Sequence, residues 1–301
     1  MRDWLGPRDE VRRAPVWLLA TTLLCVAVSN SLANFWFVPS GIWQPVLYAS
    51  EGWIGPVLLG GLIGVVLQIA LPLFWLGRFR PRDLGLRASG IIPALFGALA
   101  VWAMVQAVAL TIALLDGTGL TLDPRWTLEL HGFALGELLG QFGGNALVEE
   151  VVNRGFLVVQ LLLLFQLKWP DRSRRATLAA LVLAGVFFAV PHLPNRIYNG
   201  MYSDLQGVLT DQAVLTVWGV VFGWMYLRTG NLFLVIGIHA LVNIPALLFM
   251  KPHSFGDFGL ISAAAGVLLA SLWPRLVARS EPAPPAPEAP AAPSAQIQRD
   301  M

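Results

Sequence analysis

Apolar runs recur along almost the whole chain, and each has the length of about 20 residues that crosses a bilayer as a helix. Of the 301 residues, 56% are hydrophobic and only 13% are charged, whereas a soluble domain carries about 25% charged residues. The mean hydropathy is +0.66. These values predict an all-α fold, a polytopic bundle of about eight transmembrane helices.

Windows of this length give eight predicted spans, and the loops between them alternate in charge. Arg and Lys collect before the first span and after the second, fourth, sixth and eighth spans. Because Arg and Lys are retained on the cytoplasmic side, both termini are predicted to be cytoplasmic. The first span is expected to be an uncleaved membrane helix. The predicted spans are 15–34, 54–77, 90–115, 145–167, 176–192, 206–228, 231–250 and 258–277.

The predicted domain organisation is simple. Residues 1–14 form a cytoplasmic N-terminal segment, residues 15–279 form the membrane domain, and residues 280–301 form a Pro/Ala-rich tail that is expected to be disordered. The apolar spans make membrane lipid the first expected partner. The formal net charge of +2 suggests no nucleic-acid partner. The single cysteine, Cys25, can form no intrachain disulfide.

Strongly polar residues stand inside three of these spans, and the first such group lies in the fourth span. It contains Glu149, Glu150, Asn153 and Arg154. A charge at the centre of a bilayer costs roughly 2.5–3.5 kcal/mol, so charges placed there usually serve a function. Glu150 and Arg154 are four residues apart and share a helix face, which predicts an ion pair. Glu149 would then be free to act.

The second and third polar groups each contain a histidine. In the fifth span Phe188 precedes His192 by one turn, and Pro191 predicts a local kink. In the seventh span His239 and Asn243 share one face, and both can donate hydrogen bonds. A carboxylate that activates water, a histidine that moves a proton and two donors for an oxyanion would together make a hydrolase.

These three groups resemble the signatures of the CPBP family, which comprises CAAX proteases and bacteriocin-processing enzymes and is also called the Abi family. The family patterns are Glu-Glu-x-x-x-Arg, Phe-x-x-x-His and His-x-x-x-Asn, and here they occur in that order over residues 149–243. Asn153 departs from the family pattern, which has an aromatic or aliphatic residue there.

The resemblance implies an intramembrane endopeptidase of the glutamate type, with a protease-like core at 145–250 and a protein or peptide substrate. It implies that Glu149 is the general base, that His192 assists in activating water, and that His239 and Asn243 hold the oxyanion. Glu150 and Arg154 would support these residues. In eukaryotic relatives the substrate is a prenylated protein. We expect no cofactor, and a multi-pass location in a bacterial inner membrane.

Two alternatives stay open at this point. In a zinc-dependent version of the same protease, Glu149, His192 and His239 would be the metal ligands, since His and Glu commonly bind zinc. In a non-catalytic transporter or immunity-type binding protein, the buried charges would line a route or hold a partner. Gln206, Asp211 and Gln212, near the sixth span, are the residues that favour a route.

The predicted depths of the three groups differ. Glu149 and His192 lie far from the basic loop at 168–175, near the outer face, whereas His239 lies nearer to mid-membrane. The site requires these residues to meet, through a kink at Pro191, a strong helix tilt, or an extension of the fourth helix beyond the membrane.

Overall fold

The computed structural model describes residues 12–115, 121–169, 173–250 and 255–280. The predicted tail at 280–301 and the predicted N-terminal segment at 1–14 fall almost entirely outside these residues. The described chain is a bundle of helices. Its only strand pairing is a short antiparallel one between β1 (Thr121–Leu122) and β2 (Phe249–Met250). The all-α membrane fold predicted from the sequence is confirmed.

Six helices of the described chain are long and apolar enough to cross a membrane. Two of them begin after a Pro or Gly and run through a π-helical stretch: α1 at Ala33–Phe37, and α3 at Val65–Leu76, where Pro72 is inside the helix. The six are α1 (Val16–Ser40), α3 (Pro56–Leu76), α4 (Ala88–Leu115), α7 (Ser173–Tyr198), α8 (Leu205–Thr229) and α10 (Phe255–Ser280, with the apolar span at Phe258–Leu276).

The remaining helices are shorter or more polar, and the predicted number of eight spans is not confirmed. The helix α6 runs from 145 to 168, as predicted for the fourth span, but carries three charged residues at its start. The helix α9 (Leu232–Asn243) has 12 residues, which rise only about 18 Å. The short helices α2 (Gln44–Ala49) and α5 (Phe133–Gly143) lie outside the predicted spans.

The centre of the bundle is α6. Every residue from 150 to 163 is buried, so this helix is surrounded by protein on all sides. Its stretch Val151–Val158 is π-helical, a geometry that is frequent at functional sites. The main hydrophobic core is built around it from residues of α1, α3, α4, α8, α9 and α10.

The seventh predicted span, 231–250, is wrong in its second half, because the helix ends at Asn243. Pro245 is the physical reason: it pushes the preceding residue out of the helical region, and Ile244 is extended, with φ −137° and ψ 94°. The chain then continues without helix to β2.

Side chains from other elements bind the backbone of this non-helical stretch. Trp102 and Gln106 of α4 donate to the carbonyl of Ala246 at 3.1 and 3.4 Å, and Trp126 donates to the carbonyl of Leu247 at 2.7 Å. Irregular backbone at membrane depth is tolerated only where protein or water satisfies its polar groups. These bonds therefore allow α9 to end inside the protein.

The helices α7 and α8 pack closely through two glycines. A Cβ added to Gly219 would lie 2.5 Å from the Cα of Gly185, a distance at which one backbone must move. Small residues permit this kind of close backbone approach between membrane helices. The contact sets the position of α7, and therefore of His192 at its far end, relative to α8.

We expect the substitution Gly219→Ala to lower the free energy of unfolding by about 1–3 kcal/mol, because it overpacks this contact. The measurement is thermal unfolding in detergent. The matched control is Gly207→Ala in the same helix, where the nearest atom to an added Cβ is Asp204 Oδ1 at 3.4 Å. A Gly219→Ala variant as stable as Gly207→Ala would contradict the packing role.

Candidate active site

The carboxylate of Glu149 lies between the two histidines that the sequence singled out. Its Oε2 is 3.6 Å from His239 Nε2, and its Oε1 is 4.0 Å from His192 Nε2. Glu149 is in the second turn of α6, His192 is in the late part of α7, and His239 is near the end of α9. The three polar groups therefore meet, as the site requires.

The difference in predicted depth is resolved by where these helices begin and end. Gly144 has a non-helical conformation and separates α5 from α6. Glu149 therefore lies close to the start of α6. The helix α9 does not cross the bundle, and its last turn reaches the level of Glu149. Pro191 introduces a tighter turn at Val190–His192, as the predicted kink required.

The backbone fixes the orientation of the His192 ring. Its Nδ1 is 2.8 Å from the carbonyl oxygen of Phe188. Because a carbonyl only accepts hydrogen bonds, Nδ1 carries a proton and donates it to Phe188, which leaves Nε2 facing Glu149. Phe188 also packs against this ring, with the ring centroids 4.9 Å apart.

Glu150 binds two cationic or hydrogen-donating groups through one oxygen. Its Oε1 is 3.0 Å from Arg154 NH1 and 2.6 Å from His239 Nδ1. The predicted ion pair between Glu150 and Arg154 is thus present, and both side chains are buried. The contact with His239 was not predicted, because sequence spacing does not show which residues of α6 and α9 face each other.

Arg154 and His239 also lie against aromatic rings. The Arg154 guanidinium stacks 4.4 Å from the centre of the Phe188 ring and 5.3 Å from that of Phe222. The His239 ring stacks on Phe222 with the ring centroids 4.5 Å apart. Arg154 NH2 further donates to the carbonyl of Gly219 at 3.3 Å. These contacts compensate in part for the burial of the guanidinium.

Asn243 lies one turn beyond His239, and its amide is oriented by a residue that the sequence analysis missed. Its Nδ2 donates to Gln141 Oε1 of α5 at 2.9 Å. An amide nitrogen has two hydrogens, so one remains for another acceptor. Gln141 carried no sequence signal, because it lies in an apolar stretch before the first motif.

All four residues predicted to be catalytic line one cavity of about 690 Å³. They are Glu149, His192, His239 and Asn243. Within the described residues, Oε2 of Glu149 is buried and accepts no hydrogen bond, so it is available to a group bound in the cavity. The cavity wall also includes Asn30, Asn34 and Gln68 of the first two long helices, which the sequence analysis did not consider.

A zinc ion would require Glu149, His192 and His239 to converge on one point. Ligand atoms around a tetrahedral zinc lie about 3.3 Å apart when the metal–ligand distance is about 2.0–2.1 Å, and the Glu149 carboxylate lies 3.6 Å from His239 and 4.0 Å from His192. In the described ranges no group of three or more His, Cys, Asp or Glu side chains is placed to hold a metal ion.

Comparison with known families bears on the same region. Residues 132–245 match the family described as Rce1-like, type II CAAX prenyl endopeptidase. The match includes all three motifs, and it confirms the resemblance inferred from the sequence. It supports a protease of the membrane that acts on a protein or peptide substrate. Neither a curated protein nor a solved structure matches the chain.

The matched region and the six apolar helices together identify a multi-pass integral membrane protein that is Rce1-like between residues 132 and 245. The matched region begins one residue before α5 and ends two residues after α9. It contains neither α1 nor α3, although both contribute residues to the cavity.

We expect the substitution Glu150→Gln to destabilise the protein by about 3–5 kcal/mol, because it leaves the buried charge of Arg154 unpaired. Thermal unfolding in detergent measures this effect. The matched control is Glu149→Gln, the same chemical change one residue earlier, where no arginine is paired with the carboxylate. Equal melting temperatures for the two variants would show that the ion pair does not stabilise the fold.

Proposed function

We propose that this protein is an intramembrane endopeptidase that hydrolyses a peptide bond of a membrane-associated protein, with water activated by Glu149. The observation that carries the proposal is the placement of the Glu149 carboxylate between the Nε2 atoms of His192 and His239 at the wall of one cavity. The family match supports the class of reaction, and the prenylated substrates of that family are the first to be tested.

In the proposed reaction, a water molecule binds between Glu149 and His192 Nε2. Glu149 removes one proton as the water oxygen attacks the carbonyl carbon of the substrate, and a C–O bond forms. The C–N bond then breaks, and the leaving amine takes up the proton from Glu149. Peptide and water are converted to a carboxylic acid and an amine, so Glu149 returns to its starting state.

The oxyanion of the intermediate would be held by His239 and Asn243. Asn243 can donate through its second amide hydrogen, since the first is bonded to Gln141. His239 donates from Nδ1 to Glu150, so it donates from Nε2 only when both ring nitrogens carry protons. In that form, and with Glu149 holding the proton from water, the charges of His239 and Arg154 are balanced by those of Glu150 and the oxyanion.

Two of the three residues that favoured a transport route, Asp211 and Gln212, bind groups of the protein itself, and Gln206 is exposed near the start of α8. Asp211 accepts a hydrogen bond from Tyr202 at 2.6 Å and lies 3.4 Å from Arg196. Gln212 donates to the same hydroxyl and carboxylate at 3.4 Å. Together these contacts tie α8 to the segment before it and to the end of α7, which is a structural use of the Asp211 and Gln212 side chains. The proposal therefore gives a hydrolase precedence over a transporter.

We expect Glu149→Gln to abolish proteolysis without loss of folded protein, because the amide is nearly isosteric but cannot accept a proton from water. The purified protein is incubated in detergent with a prenylated reporter and a panel of transmembrane peptides. The control is Glu129→Gln, an exposed glutamate outside the cavity. Cleavage that persists in Glu149→Gln would overturn the proposed mechanism.

Each reaction is also run with and without a chelator, which separates the two versions of the protease. Cleavage that is insensitive to the chelator supports water activation by Glu149 alone. Cleavage that is lost with the chelator and restored by zinc would instead support the version in which Glu149, His192 and His239 bind a metal.

We expect Asn243→Leu to lower kcat by about 10²–10³-fold with little change in KM, the effect of removing one oxyanion donor. Steady-state kinetics on the best substrate of the panel measure it. A rise in KM of the same size, with kcat unchanged, would place Asn243 in substrate binding instead.

A further inference from the structure

The carbonyl group before His192 is held by a residue of the first helix. Asn30 Nδ2 donates to the carbonyl oxygen of Pro191 at 3.0 Å. This carbonyl lies in the tight turn Val190–His192. Pro191 in the turn and Pro194 after it both lack the N–H that would continue regular helical bonding. The turn that carries His192 is therefore weakly held by its own backbone.

Asn30 is itself fixed from its other side. Its Oδ1 accepts a hydrogen bond from Gln68 Nε2 at 3.2 Å, and the same nitrogen donates to Ser29 Oγ at 3.1 Å. Gln68 and Ser29 are both buried. The amide of Asn30 thus has its acceptor occupied by α3 and its donor directed at the turn before His192.

A second contact joins the same two elements one turn further along. Asn195 Nδ2 donates to Asn34 Oδ1 at 2.9 Å, and Asn34 Nδ2 donates to the carbonyl of Asn30 at 2.8 Å. The helix α1 therefore holds the chain on both sides of His192, through the carbonyl of Pro191 and the side chain of Asn195.

We propose that Asn30 is a positioning residue for His192 and that α1 and α3 form part of the catalytic unit. The inference rests on the proposed function, but it concerns residues outside the region that matches the family. Without the Asn30 amide, the turn at 190–192 can shift, and the gap between His192 Nε2 and Glu149 is no longer fixed.

The expected effect is on turnover. A displacement of about 1 Å in a catalytic group can cost about 100-fold in rate, so Asn30→Leu is expected to lower kcat by about 10- to 100-fold while KM stays within about twofold. In a His192→Ala background, Asn30→Leu is expected to cause no further loss, because the group that it positions is absent.

The test compares four proteins: the parent, Asn30→Leu, Asn30→Asp and Thr22→Val. Asn30→Asp is nearly isosteric and retains an acceptor for Gln68 but cannot donate to Pro191, so it serves if Asn30→Leu does not fold. Thr22→Val is the matched control. It removes a buried side-chain hydrogen bond, to Leu18, from the same helix without touching the cavity.

Two readouts are used. The first is kcat and KM on the cleaved substrate, with and without His192→Ala. The second is hydrogen–deuterium exchange of the peptides that cover 188–198, which needs no activity. Faster exchange there in the Asn30 variants, but not in Thr22→Val, together with a loss in kcat alone, supports the proposal.

Exchange at 188–198 that matches the parent would overturn the proposal, as would an unchanged kcat or an undiminished effect in the His192→Ala background. If the parent cleaves nothing on the panel, the proposed function fails on its own. The exchange measurement then still decides whether Asn30 fixes the turn.

Discussion

The structure depends on one carboxylate at the centre of the bundle. Glu150 Oε1 lies within 3.0 Å of Arg154 and 2.6 Å of His239, and all three side chains are buried. Removing one member of such a cluster strands the others at a cost of about 3–5 kcal/mol. Glu150 therefore joins α6 to α9, and Arg154 joins both to α7 and α8. Glu149, the preceding residue in the sequence, lies beside this cluster and lines the cavity. The proposed function thus assigns chemistry to Glu149 and stability to its neighbour Glu150.

The sequence predicted the polar residues of the site well but their connections only in part. The ion pair of Glu150 and Arg154 followed from helical spacing, because it lies within one helix. The early end of α9 could have been read from Pro245, whose effect on Ile244 is local. The contacts of Glu150 with His239, of Gln141 with Asn243 and of Asn30 with Pro191 could not be predicted, because each joins helices distant in the chain. The roles of Glu149, His192, His239 and Asn243 stay predictions that the proposed experiments address.

The region that matches the family does not hold the whole cavity. The helix α1 is fixed to it at two places. Just before the helix begins, Ala14 N donates to Gln160 of α6 at 2.7 Å, and in its second half Asn30 and Asn34 contact the residues on either side of His192. Amide side chains suit this task in a membrane, since each carries both a donor and an acceptor and adds no charge. The helix α7 is kinked and contains two prolines, and the membrane offers it few other hydrogen-bond partners. This is why α1 is inferred to position His192.

The shortness of α9 has a consequence for how the protein is made. A segment of 12 residues cannot reach across a hydrocarbon core of about 30 Å, and the stretch after it depends on Trp102, Gln106 and Trp126 for its backbone hydrogen bonds. During synthesis, α9 therefore has no stable place in the lipid by itself. Its partners are other helices of the protein: α4, α5 and α6 precede it in the chain, whereas α10 follows it and is still to be made. Assembly of the histidine and asparagine of α9 with Glu149 is thus expected late in synthesis, and a chain that lacks α10 would carry an incomplete candidate site.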